Sequence, residues 1–289
     1  MRIGTRDSRL AMRQTEIFAE RLKAFRPDVR YEVVGMKAAG DLDLASPLNG
    51  MEGTGAFVRE LDDALLRGDI DLSVNSLKDI PVMPSEGISV GAVLPRDAPE
   101  DVMLPCSPEE LPEGASVGTG SVRRAALIRE IRPDVRTVGI RGNIHTRLEK
   151  LDSGKYDAII LAKAGLDRMG IDRQMHVLDP SVFVPAPAQG AIAVECRSDD
   201  RDILELLHCT DDYRTRTETG LERAIMRFMA AGCSSPVGVH ATTRRDGFGV
   251  RAVSFSCPDG PRRVDAVLPF NHVVDDLLDI ADYLTGKRC

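Results

Sequence analysis

Three kinds of residue in this chain could do chemistry. Cys233 sits in the small-residue string MAAGCSSPVGV, after a long helical stretch. Ala, Gly and Ser let a bulky adduct approach a backbone, so a thiol there could act as an exposed nucleophile. Taken alone, that stretch fits a buried or incidental thiol better. In NSLKDIP, Lys78 and Asp79 follow an apolar strand pattern and precede a proline. A carboxylate beside a lysine at a strand end could move protons or stabilise a cation. Taken alone, the string fits a surface turn with a local ion pair better. The third kind is arginine. The chain has 31 Arg and only 7 Lys, and Arg is the side chain for forked recognition of carboxylate or phosphate. Arg6, Arg123, Arg124 and Arg141 lie at or just after strand ends, with Arg147 and Arg168 nearby.

The elements that must position these residues are readable in outline. Residues 2–5 predict a strand, and Ser8 opens a helix to Phe25 with Leu10, Ile17, Phe18, Leu22 and Phe25 on one face. A strand at 31–36, a glycine-rich loop, a helix over 58–67 and a strand at 71–75 follow. Strands alternating with helices indicate an α/β fold with largely parallel pairing. The arrangement then recurs. VGTGS at 117–121 matches IGTRDS at 3–8, and a helix over 122–131 ends in RPDVR, the pentapeptide also found at 26–30. The spacing thus predicts two similarly built lobes, with DAIILA (157–162) a buried strand of the second. After PAPA (185–188) come the strand AIAVEC, helices near 201–208 and 213–231, three short strands and a final helix from about Asn271. That tail reads as an α+β domain.

In open α/β lobes, ligands gather at the carboxyl ends of strands, where helix N-termini already favour anions. Several arginines converging there from two lobes predict a ligand with many negative groups. Other classes are excluded. A net charge of −7 argues against a general nucleic-acid binder. No apolar run approaches a membrane span, and the start carries no apolar signal core. The six cysteines form no CxxC pair and the five histidines lack ligand spacing, so no metal is expected. Free thiols and a cytoplasmic location follow. No GxSxG elbow and no GxxxxGK[ST] loop is present.

The strings IGTRDSRLAMRQ, GTGAFVREL, NSLKDIP, LPRDAPEDV, VGTGSVRR, IRGNIHTRLEKLDSGKYDAIILAKAGLDRMG, PAPAQGAIAVECR and AAGCSSPVG, with the GD at 40–41, run in order over nearly the whole chain. Together they closely resemble the porphobilinogen deaminase (hydroxymethylbilane synthase) family. The resemblance implies two lobes like those of type II periplasmic binding proteins and a small C-terminal α+β domain. Lobe one would be residues 1–96 with 189–210, lobe two 100–184, and the cofactor-attachment domain 213–289. It implies a transferase that condenses four porphobilinogen molecules head to tail with loss of ammonia, on a dipyrromethane cofactor held by a thioether to Cys233. It places Lys78, Thr119, Ser121, Arg123, Arg124, Arg141 and Arg147 on the cofactor and growing chain, and Arg6, Ser8 and Arg168 on carboxylates of incoming rings. Asp79 matches the catalytic aspartate. A monomer, a hand-off of product to uroporphyrinogen-III synthase, and lobe movement about crossovers near 96–100 and 184–190 are also implied. Four positions depart from the family pattern. Asn75 replaces a usual His and cannot titrate, Gly120 replaces a Ser, Thr54 a Lys and Ala38 a Thr. The alternative reading is a non-catalytic, two-lobed polyanion-binding protein, which would leave Cys233 and the third domain without a purpose.

Overall fold

A computed structural model describes residues 1–36, 56–232, 235–271 and 273–287. Thr54, Ala38 and the GD pair at 40–41 lie outside them. The chain divides into two compact units, residues 1–97 with 191–220 and residues 98–190 with 221–289.

In the first unit, strand β1 (Arg2–Arg6) leads into helix α1 (Arg9–Phe25). Ser8 caps the helix by accepting the Ala11 N–H at 3.3 Å. Ala11, Thr15, Phe18, Ala19 and Leu22 recur at three- and four-residue spacing and form its buried face. The Arg26 N–H closes the last turn on the Leu22 carbonyl at 2.8 Å, and Pro27 prevents continuation. Strand β2 (Glu32–Met36), helix α2 (Ala56–Arg67), strand β3 (Leu72–Ser76) and strand β4 (Ile88–Val93) follow. The sheet is completed by β10 (Ile192–Arg197), giving the order β2-β1-β3-β10-β4. Phe18 and Leu22 of α1 pack with Ile3, Leu72, Val74, Ile192 and Val194. Leu61, Ala64 and Leu65 of α2 form a separate cluster with Ile70 and Ile88. Helix α6 (Arg201–His208) contributes the buried Leu207 to the larger cluster.

The second unit repeats this plan. Its strands are β5 (Asp101–Leu104), β6 (Ser116–Gly118), β7 (Arg136–Val138), β8 (Ala158–Ala162) and β9 (His176–Val177), in the order β7-β6-β8-β5-β9. Helix α3 (Val122–Ile131) is capped by Ser121, and the Arg132 N–H closes it on Ile128 at 2.8 Å. Both copies of RPDVR therefore stop a helix in the same way. Helices α4 (Ile144–Asp152) and α5 (Lys163–Arg168) flank β8 in sequence. The expected parallel pairing holds for three strands of each sheet: β2-β1-β3 and β7-β6-β8. The fourth strands, β10 and β5, run antiparallel to their neighbours. They enter from the crossovers instead of from a strand–helix–strand unit, so the right-handed crossover rule does not orient them.

Helix α7 (Tyr213–Phe228) leads to a three-stranded antiparallel sheet, β11 (Val237–Thr243), β12 (Phe248–Ser254) and β13 (Arg262–Leu268), and to helix α8 (Val273–Thr285). Val253 of β12 joins the core of the second five-stranded sheet, beside Phe183 and Val184. At Gly238 of β11 a Cβ would stand 2.6 Å from the Val184 carbonyl oxygen, so only glycine permits this approach. Arg263 of β13 pairs with Glu130 of α3 and donates to the Val182 carbonyl at 3.1 Å.

Candidate active site

In the first unit the candidate residues cluster at the carboxyl ends of β1 and β3. Arg6 ends β1 and is half-buried, and the Ser8 Oγ caps α1 as an acceptor, which leaves its O–H as a donor. The strand β3 ends at Ser76 and passes directly into a 3-10 turn, Leu77–Asp79. This turn is pinned at both ends. Leu77 and Ile80 are buried, and the Leu77 N–H donates to the Ala191 carbonyl at 3.0 Å. Gln14 of α1 donates from Nε2 to the Ser76 Oγ at 2.7 Å. Lys78 and Asp79 emerge half-buried from that fixed base. Among the described residues the Asp79 carboxylate has no hydrogen-bond or ion-pair partner. That is the condition of a carboxylate kept for something else. One residue before Ser76, Asn75 is buried and donates to Glu195 Oε2 at 2.9 Å and to Ser73 Oγ at 3.3 Å. It serves as a fixed, non-titrating donor.

In the second unit, β6 runs into Thr119, Gly120 and Ser121 at the start of α3. The Thr119 Oγ1 accepts the Ser121 N–H at 3.1 Å, and the Ser121 Oγ accepts the Arg124 N–H at 3.4 Å. Both hydroxyls therefore shape the helix start. The next two side chains turn inward. Arg123 and Arg124 are only 3% and 8% exposed, and they share one carboxylate, Asp101, at 2.8 Å and 2.7 Å. Arg123 also donates to the Val184 carbonyl at 2.7 Å, and Arg124 to the Ile160 carbonyl at 3.2 Å. Burial alone would push the Asp101 carboxyl up, but Arg123 and Arg124 hold it at about 2. Two guanidiniums against one carboxylate leave a surplus positive charge.

Arg147 adds to that surplus. It donates from Nε to the Gly142 carbonyl at 2.7 Å, and no carboxylate among the described residues pairs with it. Burial, followed by the charge of Arg124, lowers its pKa. Arg141 sits in the turn before α4, where Tyr156, Lys150 and Arg147 hold the carbonyls of Gly139, Arg141 and Gly142 at 2.8, 2.9 and 2.7 Å. Its own carbonyl and those of Gly139 and Gly142 beside it are thus fixed. Arg168 ends α5 and donates to the Gly190 carbonyl at 2.6 Å.

The structure brings Thr119, Ser121, Arg123 and Arg124 together on one helix start. Cys233 lies outside the described residues, in the sequence between α7 and β11. Three of the four described thiols are poor competitors for its expected role. Cys196 and Cys257 are buried, and burial pushes the Cys196 thiol up to about 11. Burial, then Glu110, also raises the Cys106 thiol. No group of acidic, His or Cys residues suited to a metal occurs among the described residues, and no helix there is long and apolar enough to cross a membrane. Sequence reasoning missed Asp101 and Gln189. Both lie inside strings that carry the family resemblance, LPRDAPEDV and PAPAQG, and neither string marks its polar residue as buried.

Residues 1–205 match the family model described as porphobilinogen deaminase, dipyromethane cofactor binding domain. The chain belongs to the porphobilinogen deaminase family. It is 44% identical over 245 residues to the porphobilinogen deaminase of Syntrophobacter fumaroxidans, covering 83% of this chain and 79% of that one. The probable porphobilinogen deaminase of Methanosarcina acetivorans is 43% identical over 299 residues, covering 100% and 93%. The porphobilinogen deaminase of Desulforamulus reducens is 41% identical over 295 residues, covering 99% and 95%. Membership makes the chain a transferase of tetrapyrrole biosynthesis with a dipyrromethane cofactor. The family gives no support to the non-catalytic binding alternative.

Proposed function

We infer that this enzyme is a hydroxymethylbilane synthase, joining four porphobilinogen molecules head to tail and releasing ammonia at each addition. The observation that carries the site assignment is the surplus of buried and half-buried cationic charge in the second unit. Arg123 and Arg124 share one carboxylate, and Arg147 has none among the described residues. Each pyrrole of the substrate and cofactor bears an acetate and a propionate. A cluster with unspent positive charge fits such a polycarboxylate, because partly desolvated guanidiniums bind carboxylates through short, charge-assisted bonds.

Lys78, Thr119, Ser121, Arg123, Arg124, Arg141 and Arg147 would hold the dipyrromethane, and Cys233 would carry it through a thioether. When bound, that group supplies the pyrrole carbon from which the chain grows. Arg6, Ser8 and Arg168 would orient the carboxylates of the incoming substrate. Asp79 would accept the pyrrole N–H of porphobilinogen and stabilise the positive charge that develops there as ammonia departs. It would then take up the proton lost when the new carbon–carbon bond restores aromaticity. Its anchored 3-10 turn suits this, since Asp79 need not break an internal ion pair to act. Asn75 would take no part in proton transfer.

In this reading the lobes are residues 1–96 with 189–210 and residues 100–184, and residues 213–289 form the cofactor-attachment domain. The reading extends to a monomeric cytoplasmic enzyme that passes its linear product to uroporphyrinogen-III synthase. The test is stoichiometric. Purified protein given porphobilinogen should release one ammonia per substrate consumed and form a linear tetrapyrrole. Saturable substrate binding without ammonia release would instead identify a binding protein.

A further inference from the structure

The second crossover, residues 184–190, carries no titratable side chain, yet two candidate arginines of the second unit end on it. Arg123 donates to the Val184 carbonyl at 2.7 Å, and Arg168 to the Gly190 carbonyl at 2.6 Å. Between them, Gln189 is 1% exposed and faces the arginine cluster with both ends of its amide. Its Nε2 donates to the Pro99 carbonyl at 2.7 Å and to Asp101 Oδ1 at 3.0 Å. Its Oε1 accepts from Arg124 Nη2 at 3.4 Å. Gln189 thus touches the carboxylate that Arg123 and Arg124 share, one of those arginines, and the backbone of the first crossover.

The conformation that aims Gln189 this way is held in place. Ala188 is fully buried with φ of 60°, a left-handed conformation unfavourable for a residue with a Cβ. Its N–H donates to Glu222 Oε2 at 2.6 Å, while Glu222 Oε1 accepts the Ala241 N–H of β11 at 2.8 Å. The Gln189 N–H closes a turn on the Ala186 carbonyl at 3.0 Å. Glu222 is itself fully buried, and charge-assisted bonds to two backbone donors are the strong kind. A strained residue persists where its surroundings over-determine it. Here the result is that the side chain of residue 189 points at Asp101 and Arg124.

We propose that Gln189 is a positioning residue of the reaction: it acts through Asp101 and Arg124 to hold the guanidinium of Arg124 in the orientation that receives a pyrrole carboxylate. The ligand in this statement rests on the proposed function, whereas the placement of Arg124 by Gln189 does not. Gln189 makes no contact with the reacting atoms in this role, and Glu222 supports it by locking Ala188.

The test compares Gln189→Ala and Gln189→Met with the parent, each with and without Arg124→Lys, in the full chain. Methionine fills the same space without the amide, so a merely space-filling residue would tolerate it. Both variants are expected to lower kcat about tenfold or more while thermal midpoints stay within a few degrees, since small displacements of a positioning group carry large rate effects. In the Arg124→Lys background the same change should cost less than about twofold further, because coupled residues are not additive. Equal losses in both backgrounds, or a methionine variant with parental kcat, would overturn the proposal. A second readout needs no activity. Hydrogen exchange at the Arg124 guanidinium should speed up about tenfold in either variant, while backbone amides of β5 and β8 keep their protection. If the parent fails to turn porphobilinogen over, the functional reading falls and this exchange measurement alone decides the positioning claim. Unchanged Arg124 exchange would then refute it.

Discussion

The two five-stranded sheets share one strand order, and one matching register position holds very different residues. In the first, β3 ends at Ser76 opposite Ile192 of β10. In the second, β8 ends at Ala162 opposite Asp101 of β5. Ile192 is an ordinary core side chain, whereas Asp101 is a fully buried carboxylate holding two arginines. The chain then leaves the two strands differently. After β3 comes a short turn bearing Lys78 and Asp79, and after β8 comes α5, ending in Arg168. One scaffold thus presents a carboxylate with no internal partner among the described residues, and the other builds fixed cationic charge from the inside. The duplication supplies two strand ends, and divergence at a few positions sets the sign of the charge at each.

The comparison breaks most visibly at Asp101. Asp101→Ala leaves two buried guanidiniums without their carboxylate, and urea denaturation should report a loss of about 3–5 kcal/mol. Ile192→Val, at the matching position, should cost only about 1 kcal/mol. Comparable losses at the two sites would mean that Asp101 is not a structural counter-ion. Asp79→Asn should show the opposite profile. With no internal partner lost, its denaturation midpoint should match the parent, while kcat falls by about 100-fold or more. Near-parental turnover would remove Asp79 from its assigned role. The smallest effect is acid sensitivity. The folded pKa of Asp101 is depressed to about 2, below its unfolded value. The stability it contributes is therefore complete above about pH 4 and lost as pH falls toward 2. That contribution is about 2 kcal/mol. In Asp101→Asn the slope of stability against pH in this window should flatten, and an unchanged slope would show that other carboxylates dominate.

Much of this was legible in the sequence for local reasons. Ser8 and Ser121 announce helix starts by their own capping chemistry, and RPDVR stops both helices by placing proline just after the last turn. The matching strings then give the plan of two similar lobes. The burial of Asp101 was not legible. It follows Glu100 in a stretch that reads as a charged surface loop. Its burial depends on β5 entering antiparallel beside β8, a long-range pairing with no local signature. Gln189 was hidden for the same reason, since its partners lie 65 to 90 residues away in sequence. Arg123 and Arg124 were found as cations at a helix start, but their inward direction was set by the carboxylate that the sequence did not mark.

Cys233 lies outside the described residues, so covalent attachment is the claim that most needs direct measurement. The intact mass of the purified enzyme should exceed that of its polypeptide by one dipyrromethane, and peptide mapping should place the excess on the fragment containing Cys233. An active enzyme whose Cys233 peptide carries an unmodified thiol would contradict the account.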